Sequence, residues 1–279
     1  MLNVETIQKN PEPTQDEDLQ EINTTSPEEE VQIKPSDILC QILYRPQDAI
    51  HKRLLDSSYA WVDDGMAITR LEDPFGGWIN MTRNWQTKLF LKRPRFKWLF
   101  LVDQDVGVPY DVPYRLASHN LPICSAIVPG FTKERGIFAC VAVKDPKGVA
   151  RFPTLNETKT LPLKGIVELH NAGTGCLMIR RDVLETLWDR FEQDPGFGQP
   201  FELPMSDLHK AGETGVMPKG EDICFTDRCR EAGFKIFADF AARCIHEKTF
   251  QIAWPDDAVA DISVDDWCVS ALDYKVVQP

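Results

Sequence analysis

The run Trp98-Leu99-Phe100-Leu101-Val102 passes without a break into Asp103-Gln104-Asp105, and this junction restricts the fold more than any other part of the sequence. Five consecutive apolar side chains leave a strand no solvent-facing side. Such a strand belongs inside a mostly parallel sheet covered by helices on both faces. In open α/β sheets the carboxyl ends of the strands form the ligand-binding rim. Two carboxylates placed there are hard oxygen donors of the kind that hold a divalent cation, with a phosphate-bearing ligand completing its shell. The implied class is a metal-dependent enzyme acting on a nucleotide derivative.

Length and charge narrow the setting. A chain of 279 residues with 43% hydrophobic content is enough for one large α/β domain or two small ones. A net charge of -12 argues against a broad grip on nucleic acid or on an anionic membrane, since both need clustered cations. Two local basic clusters stand out: Lys88, Lys92, Arg93, Arg95 and Lys97, read as a solvated helix face, and Arg180 with Arg181. The eight cysteines lack metal-knuckle spacing, residues 1–20 do not read as a signal peptide, and no apolar stretch approaches the ~20 residues of a membrane span. The expectation is a cytoplasmic protein without a membrane span, its thiols reduced and buried as small hydrophobes.

Along the chain, residues 1–35 read as a disordered acidic tail, 36–250 as the folded domain, and 251–279 as an extension packing on it. Strands are expected at 38–43, 67–71, 98–102, 123–128, 138–143, 166–169, 176–179 and 234–238. Helices are expected at 47–58, 79–92, 111–119, 181–192 and 221–232, the last closed by Gly233. In the helix over 79–92, Trp85, Leu89 and the stem of Lys92 share one face. Residues 195–220 form a long irregular loop, a length often associated with a lid. Strands alternating with helices give an α/β fold.

Three further motifs bear on chemistry. Asp-x-Asp alone is common in an acidic chain, and Asp16 with Asp18 repeats it in the tail; its place after a buried strand is what gives Asp103 and Asp105 meaning. Glu221 and Asp222 open a helix, where acids complement the dipole. Helical spacing puts Asp222 on the face of Phe225, Cys229 and Ala232 and turns Glu221 away by about 100°, so Asp222 is placed to act as a general base. His246 follows the last strand; a lone histidine there is usually a surface residue, but as a ligand it would favour manganese over calcium. Gly173-Thr174-Gly175 fits either a hairpin turn or a close backbone approach to a substrate. His51, His119, His170 and His209 show no partner spacing.

Taken in order, Asp103-Gln104-Asp105, Gly173-Thr174-Gly175, Gly220-Glu221-Asp222 and His246 resemble the GT-A class of nucleotide-sugar glycosyltransferases, in particular the inverting, family-two-like enzymes of bacteria and phages. The resemblance spans roughly Ile38 to Lys248 and is carried also by Arg83-Asn84 and by the stretch Trp98 to Pro109. It implies a Rossmann-like, mostly parallel central sheet flanked by helices, with a small antiparallel β element. It implies a divalent metal, Mn2+ or Mg2+, held by Asp103, Asp105 and His246. A nucleotide-diphosphate sugar donor would be bound with Asp103, Arg83, Asn84 and the Gly173–Gly175 loop, and Asp222, beside Glu221, would be the inverting base. The acceptor is a glycan, a lipid-linked sugar, a protein or a modified nucleic-acid base. The acid that reads the nucleotide base is one of Asp63, Asp64 and Asp73. Two other classes stay open: a nucleotidyltransferase, which would need a glycine-rich basic loop where Arg45-Pro46-Gln47-Asp48 stands, and a non-catalytic sugar- or nucleotide-binding module.

Overall fold

The computed structural model describes residues 33–44, 49–72, 78–132, 136–145, 147–154, 157, 165–194, 196, 198–203 and 219–247, all within a unit spanning 32–279. Alternating apolar residues of the buried strands are divided between two cores. On β1 (Ile38–Tyr44) and β3 (Trp98–Asp103), Cys40, Ile42, Phe100 and Val102 face one side, and Leu39, Leu99 and Leu101 face the other. Helices α1 (Lys52–Asp63) and α3 (Val112–Ser118) cover the first side with Leu54, Trp61 and Leu116. Helices α2 (Ile79–Leu91), α4 (Arg181–Gln193) and α5 (Glu221–Glu231) cover the second with Phe90, Leu184, Leu187 and Phe225. Both faces of the central strands are therefore dry, as their unbroken apolar runs require.

The remaining strands of the central sheet are β2 (Ala67–Glu72), β5 (Ile123–Ile127), β10 (Ile166–Leu169), β12 (Cys176–Arg180) and β13 (Ile236–Arg243). Their order is β10-β13-β5-β12-β3-β1-β2. Strands β1, β2, β3, β5 and β13 run in one direction, and β12 and β10 run against them. This is a mixed, mostly parallel α/β sheet flanked by helices, consistent with a Rossmann-like GT-A fold. Small antiparallel pairs lie beside it: β4 (Val106–Gly107) with β14 (Ile245–His246), β6 (Pro129–Thr132) with β7 (Gly136–Ala139), and β8 (Val141–Lys144) with both β9 (Ala150–Arg151) and β11 (Asn171–Ala172).

Several expectations change. The strand read over 138–143 is two strands broken at Cys140, whose amide turns to donate to the Val128 carbonyl at 2.9 Å. The helix read over 47–58 begins at Lys52, because His51 caps it: its Nδ1 accepts from the Arg53 amide at 3.0 Å. The last strand reaches Arg243, with a register shift between Asp239 and Arg243. The buried face of α2 is polar, formed by Thr82, Arg83, Asn84, Gln86 and Thr87 with Phe90, while Trp85 points outward. The basic cluster is solvated as expected, with Lys88, Lys92, Arg93, Arg95 and Lys97 all exposed, but only Lys88 lies on a helix and the rest follow its end. Six cysteines, Cys40, Cys124, Cys176, Cys224, Cys229 and Cys244, are buried free thiols. Among the described residues no helix is long and apolar enough to cross a membrane. Residues 1–32 of the expected tail, 45–48, 73–77, 204–218 of the expected lid, and the extension 251–279 lie outside the described residues.

Candidate active site at the carboxyl rim of the sheet

Asp103 ends β3 at the carboxyl rim, paired in register with Leu43 of β1. The Arg83 side chain, 0% exposed on the inner face of α2, donates through Nη2 to Asp103 Oδ1 and through Nη1 to Gln86 Oε1 at 3.1 Å. A buried guanidinium is tolerable only with such a partner. One oxygen of Asp103 is thereby committed to the protein. The other, Oδ2, faces Gly175, where a Cβ would stand 3.4 Å away. The Asp103 amide donates to the Gly175 carbonyl at 3.1 Å, which fixes the glycine loop to the acid.

The chain after Asp103 is laced along α1. The His51 amide donates to the Gln104 carbonyl at 2.8 Å, and the His51 ring lies against Gly107. Ser57 Oγ donates to the Val108 carbonyl at 2.8 Å and Trp61 Nε1 to the Tyr110 carbonyl at 2.7 Å. Asp105 meets His246 across this segment. Strands β4 and β14 pair in register, Glu247 donates its amide to the Asp105 carbonyl at 2.8 Å, and His246 Nε2 lies 3.2 Å from Asp105 Oδ2. His246 Nδ1 lies 2.7 Å from the Pro129 carbonyl, which can only accept, so Nδ1 carries the hydrogen. In the neutral ring Nε2 then turns a lone pair toward a carboxylate.

Helix α5 brings the other acids. Asp222 Oδ1 accepts from the Ile223 amide at 2.7 Å, and Oδ2 faces Gly173, 3.6 Å from where a Cβ would stand. A side chain at Gly220 would collide with Asp222, since its Cβ would lie 2.6 Å from Oδ1. Burial pushes the Asp222 carboxyl up, against the pull of the Ile223 amide. Burial, reinforced by the charge of Asp222, pushes Glu221 up to about 7. Glu221 is not turned away as helical phase implied: it lines the same cleft as Asp222. In the first helical turn the Cβ leans toward the amino end, so the longer side chain reaches back over the rim.

These groups enclose a cleft of about 150 Å3, lined by Asp103, Glu221, Asp222, His246 and the Gly173–Gly175 loop, with Ser125, Ala126 and Cys140 among the other lining residues. Gly173-Thr174-Gly175 is not a hairpin turn, because β10 pairs with β13 while β12 pairs with β3 and β5. It is a loop between two acids: a Cβ at Gly175 would meet Asp103 Oδ2 at 3.4 Å, and one at Gly173 would meet the Cys140 carbonyl at 3.3 Å and Asp222 Oδ2 at 3.6 Å. Among the described residues no three His, Cys, Asp or Glu side chains converge to hold a metal; Asp105 and His246 meet, and Asp103 is engaged by Arg83 instead.

Other sequence-derived candidates have different places. Both ends of the buried Asn84 amide bond the backbone of Phe201: Nδ2 donates to its carbonyl, and Oδ1 accepts from its amide at 3.0 Å. Phe201 in turn stacks on Phe225 of α5, ring centroids 4.2 Å apart. Asn84 thus joins α2 to the helix of Asp222. Helix α1 returns the chain from the carboxyl rim to the start of the parallel neighbour β2, so Asp63 and Asp64 lie at the opposite rim from the cleft. Tyr114 donates to Asp64 at 2.7 Å, as does Tyr110. Asp73 lies outside the described residues.

One residue escaped the sequence reading. Asn171 Nδ2 donates to Thr226 Oγ1 and to Asp227 Oδ1, each at 2.8 Å, and Thr226 Oγ1 donates to the Asp222 carbonyl at 3.0 Å. Asn171 therefore ties the start of the glycine loop to the helix carrying Asp222. Its only sequence signal is its place two residues before Gly173.

No family model matches the chain, and no curated protein matches it. Solved structures similar to it include two that align over most of its length. A197 from STIV aligns over 78% of this chain and 97% of its own, with 16% identity and a TM-score of 0.45. A glycosyltransferase involved in the glycosylation of the major capsid of PBCV-1 aligns over 77% of this chain and 94% of its own, with 13% identity and a TM-score of 0.34.

Proposed function

We propose that this chain is a metal-dependent glycosyltransferase that moves a sugar from a nucleotide-diphosphate donor to an acceptor hydroxyl with inversion. One observation carries the reading. Asp103 and Asp222 flank the Gly173–Gly175 loop, each with one carboxylate oxygen held by the protein and the other facing a glycine. Two acids so placed at one cleft suit a compact polar group such as a sugar between them.

In this reading Asp222 is the base. Its Oδ1 is anchored by the Ile223 amide, which favours the ionised form, and Oδ2 is free to accept a proton from a hydroxyl. Glu221, pushed up to about 7, shares the cleft with Asp222, whose own carboxyl is raised by burial. Arg83 keeps Asp103 oriented toward the cleft and offsets one negative charge there. Asp105 and His246 would hold the metal from the protein side, with water and diphosphate oxygens supplying the remaining donors, as Mg2+ and Mn2+ accept. When bound, the metal would neutralise the charge of a departing diphosphate.

The test is thermal stabilisation by nucleoside diphosphates with and without manganese, followed by turnover of the sugar donors that bind. Asp105→Asn and His246→Ala should abolish the metal-dependent part of the stabilisation. Asp222→Asn should keep donor binding and lower transfer by about 100-fold or more. Manganese-dependent stabilisation that survives the first two changes would remove the metal assignment, and transfer unaffected in Asp222→Asn would remove the base.

A further inference from the structure

The outward face of α2 differs from the rest of the surface. Trp78, which precedes the helix, Met81 and Trp85 are 57%, 43% and 36% exposed. Their spacing aligns them in one stripe, and Lys88 and Lys92 continue it toward the carboxyl end. The inward face of the helix is already occupied by its buried polar residues and Phe90, so this stripe does not serve the core.

Its charge is equally distinct. Residues 78–97 contain no Asp or Glu, although the chain holds 43 acids. Lys97 pairs with Asp37 at 3.1 Å, whereas among the described residues Lys88, Lys92, Arg93 and Arg95 have no carboxylate in ion-pair contact. On α4, packed beside α2, Asp182 and Glu185 are paired with Arg180 and Arg181. The net charge of -12 does not decide what this face binds. At physiological salt the screening length is about 8 Å, so a surface in contact responds to local charges.

Aromatic side chains and methionine along the outside of a helix, continued at its end by cations with no ion-pair partner among the described residues, match the chemistry of a lipid headgroup layer. The rings sit at the apolar boundary, and the long basic side chains reach phosphates above it. We infer that the outward face of α2 docks on an anionic phospholipid surface, with Trp78, Met81 and Trp85 in the headgroup layer and Lys88, Lys92, Arg93 and Arg95 on lipid phosphates. This inference is independent of the chemistry assigned to the cleft.

Cosedimentation of the full chain with phosphatidylcholine vesicles, with and without phosphatidylserine, at physiological salt tests it. Binding should require phosphatidylserine. Lys88→Gln with Lys92→Gln should lower the partition coefficient about thirtyfold, from roughly 1 kcal/mol per cation near an anionic surface. Trp78→Ala with Trp85→Ala should lower vesicle binding at least tenfold while leaving binding to a heparin column unchanged. All four sites are exposed, and circular dichroism identical to the parent would show that the variants fold. Three results would overturn the inference: no binding to the anionic vesicles, vesicle binding insensitive to the tryptophan changes, or light scattering showing a dimer that those changes dissociate, which would give the stripe to a second copy.

Discussion

Replacing Glu221 by glutamine should change how stability depends on pH in a defined way. The Glu221 carboxyl is pushed from an ordinary value of 4.5 up to about 7, first by burial and then by the charge of Asp222. Between those two pH values the folded chain keeps a proton on Glu221 that the unfolded chain has released. Stability must therefore fall as pH rises from about 4.5 to about 7, and level off above. The integrated loss is about 3 kcal/mol, an upper figure because the side chain is not fully enclosed. Glutamine has no proton to lose, so the variant lacks this slope, while titrating groups that do not interact with Glu221 cancel in the comparison. Relative to the parent, Glu221→Gln should gain up to about 3 kcal/mol on going from pH 4 to pH 8, worth roughly 6–12 °C in melting temperature. Urea unfolding of both proteins at the two pH values, without added metal, measures the difference. An identical parent-to-variant difference at both would refute the claim that Glu221 is held protonated by its surroundings.

Three other perturbations probe the supports of the cleft. Asn84→Ala leaves the Phe201 amide and carbonyl without their partners and should cost about 2–4 kcal/mol in urea unfolding; a loss under about 1 kcal/mol would show that Asn84 does not fasten α2 to Phe201. Gly107→Ala places a Cβ 2.5 Å from His51 Cε1, so the ring must move and loosen the α1 cap, at about 1–2 kcal/mol; in the background of His51→Ala the same change should cost much less. Asp239 is a buried carboxylate: burial raises it, but bonds from His119, Arg115 and the Ala241 amide outweigh that and hold it well below the usual range. Its contribution is complete above the ordinary value of 3.8 and fades as pH falls. Asp239→Asn should cost about 3 kcal/mol at pH 6 and less at pH 3, with an equal cost at both excluding the carboxylate's role.

The sheet was legible because its strands are unbroken apolar runs, and Trp98 to Val102 could have no other place. Asp103, Gly173–Gly175, Asp222 and His246, grouped in the sequence by their resemblance to GT-A enzymes, line one cleft. What escaped detection shares a physical cause. Asn171 was not singled out, and the burial of Arg83, Asn84 and Gln86 was not foreseen, because all four are polar and polarity alone predicts exposure. Their burial depends on partners far along the chain, such as Phe201 for Asn84 and Asp227 for Asn171. The break at Cys140 was hidden for the same reason: its amide answers to Val128, not to its own strand. His51 showed no partner spacing because its role, a cap whose ring lies on Gly107, depends on a neighbour more than fifty residues away.

The lacing of residues 104–110 to α1 has a consequence for ligand affinity. Four contacts at successive positions, from His51 to Trp61, hold the acid-bearing segment against a rigid rod. Its conformational freedom is surrendered when the chain folds, not when a ligand arrives, so binding bears no ordering cost there. In hydrogen exchange, the amides of this segment and of α1 should open together as one cooperative unit with little change on adding ligand.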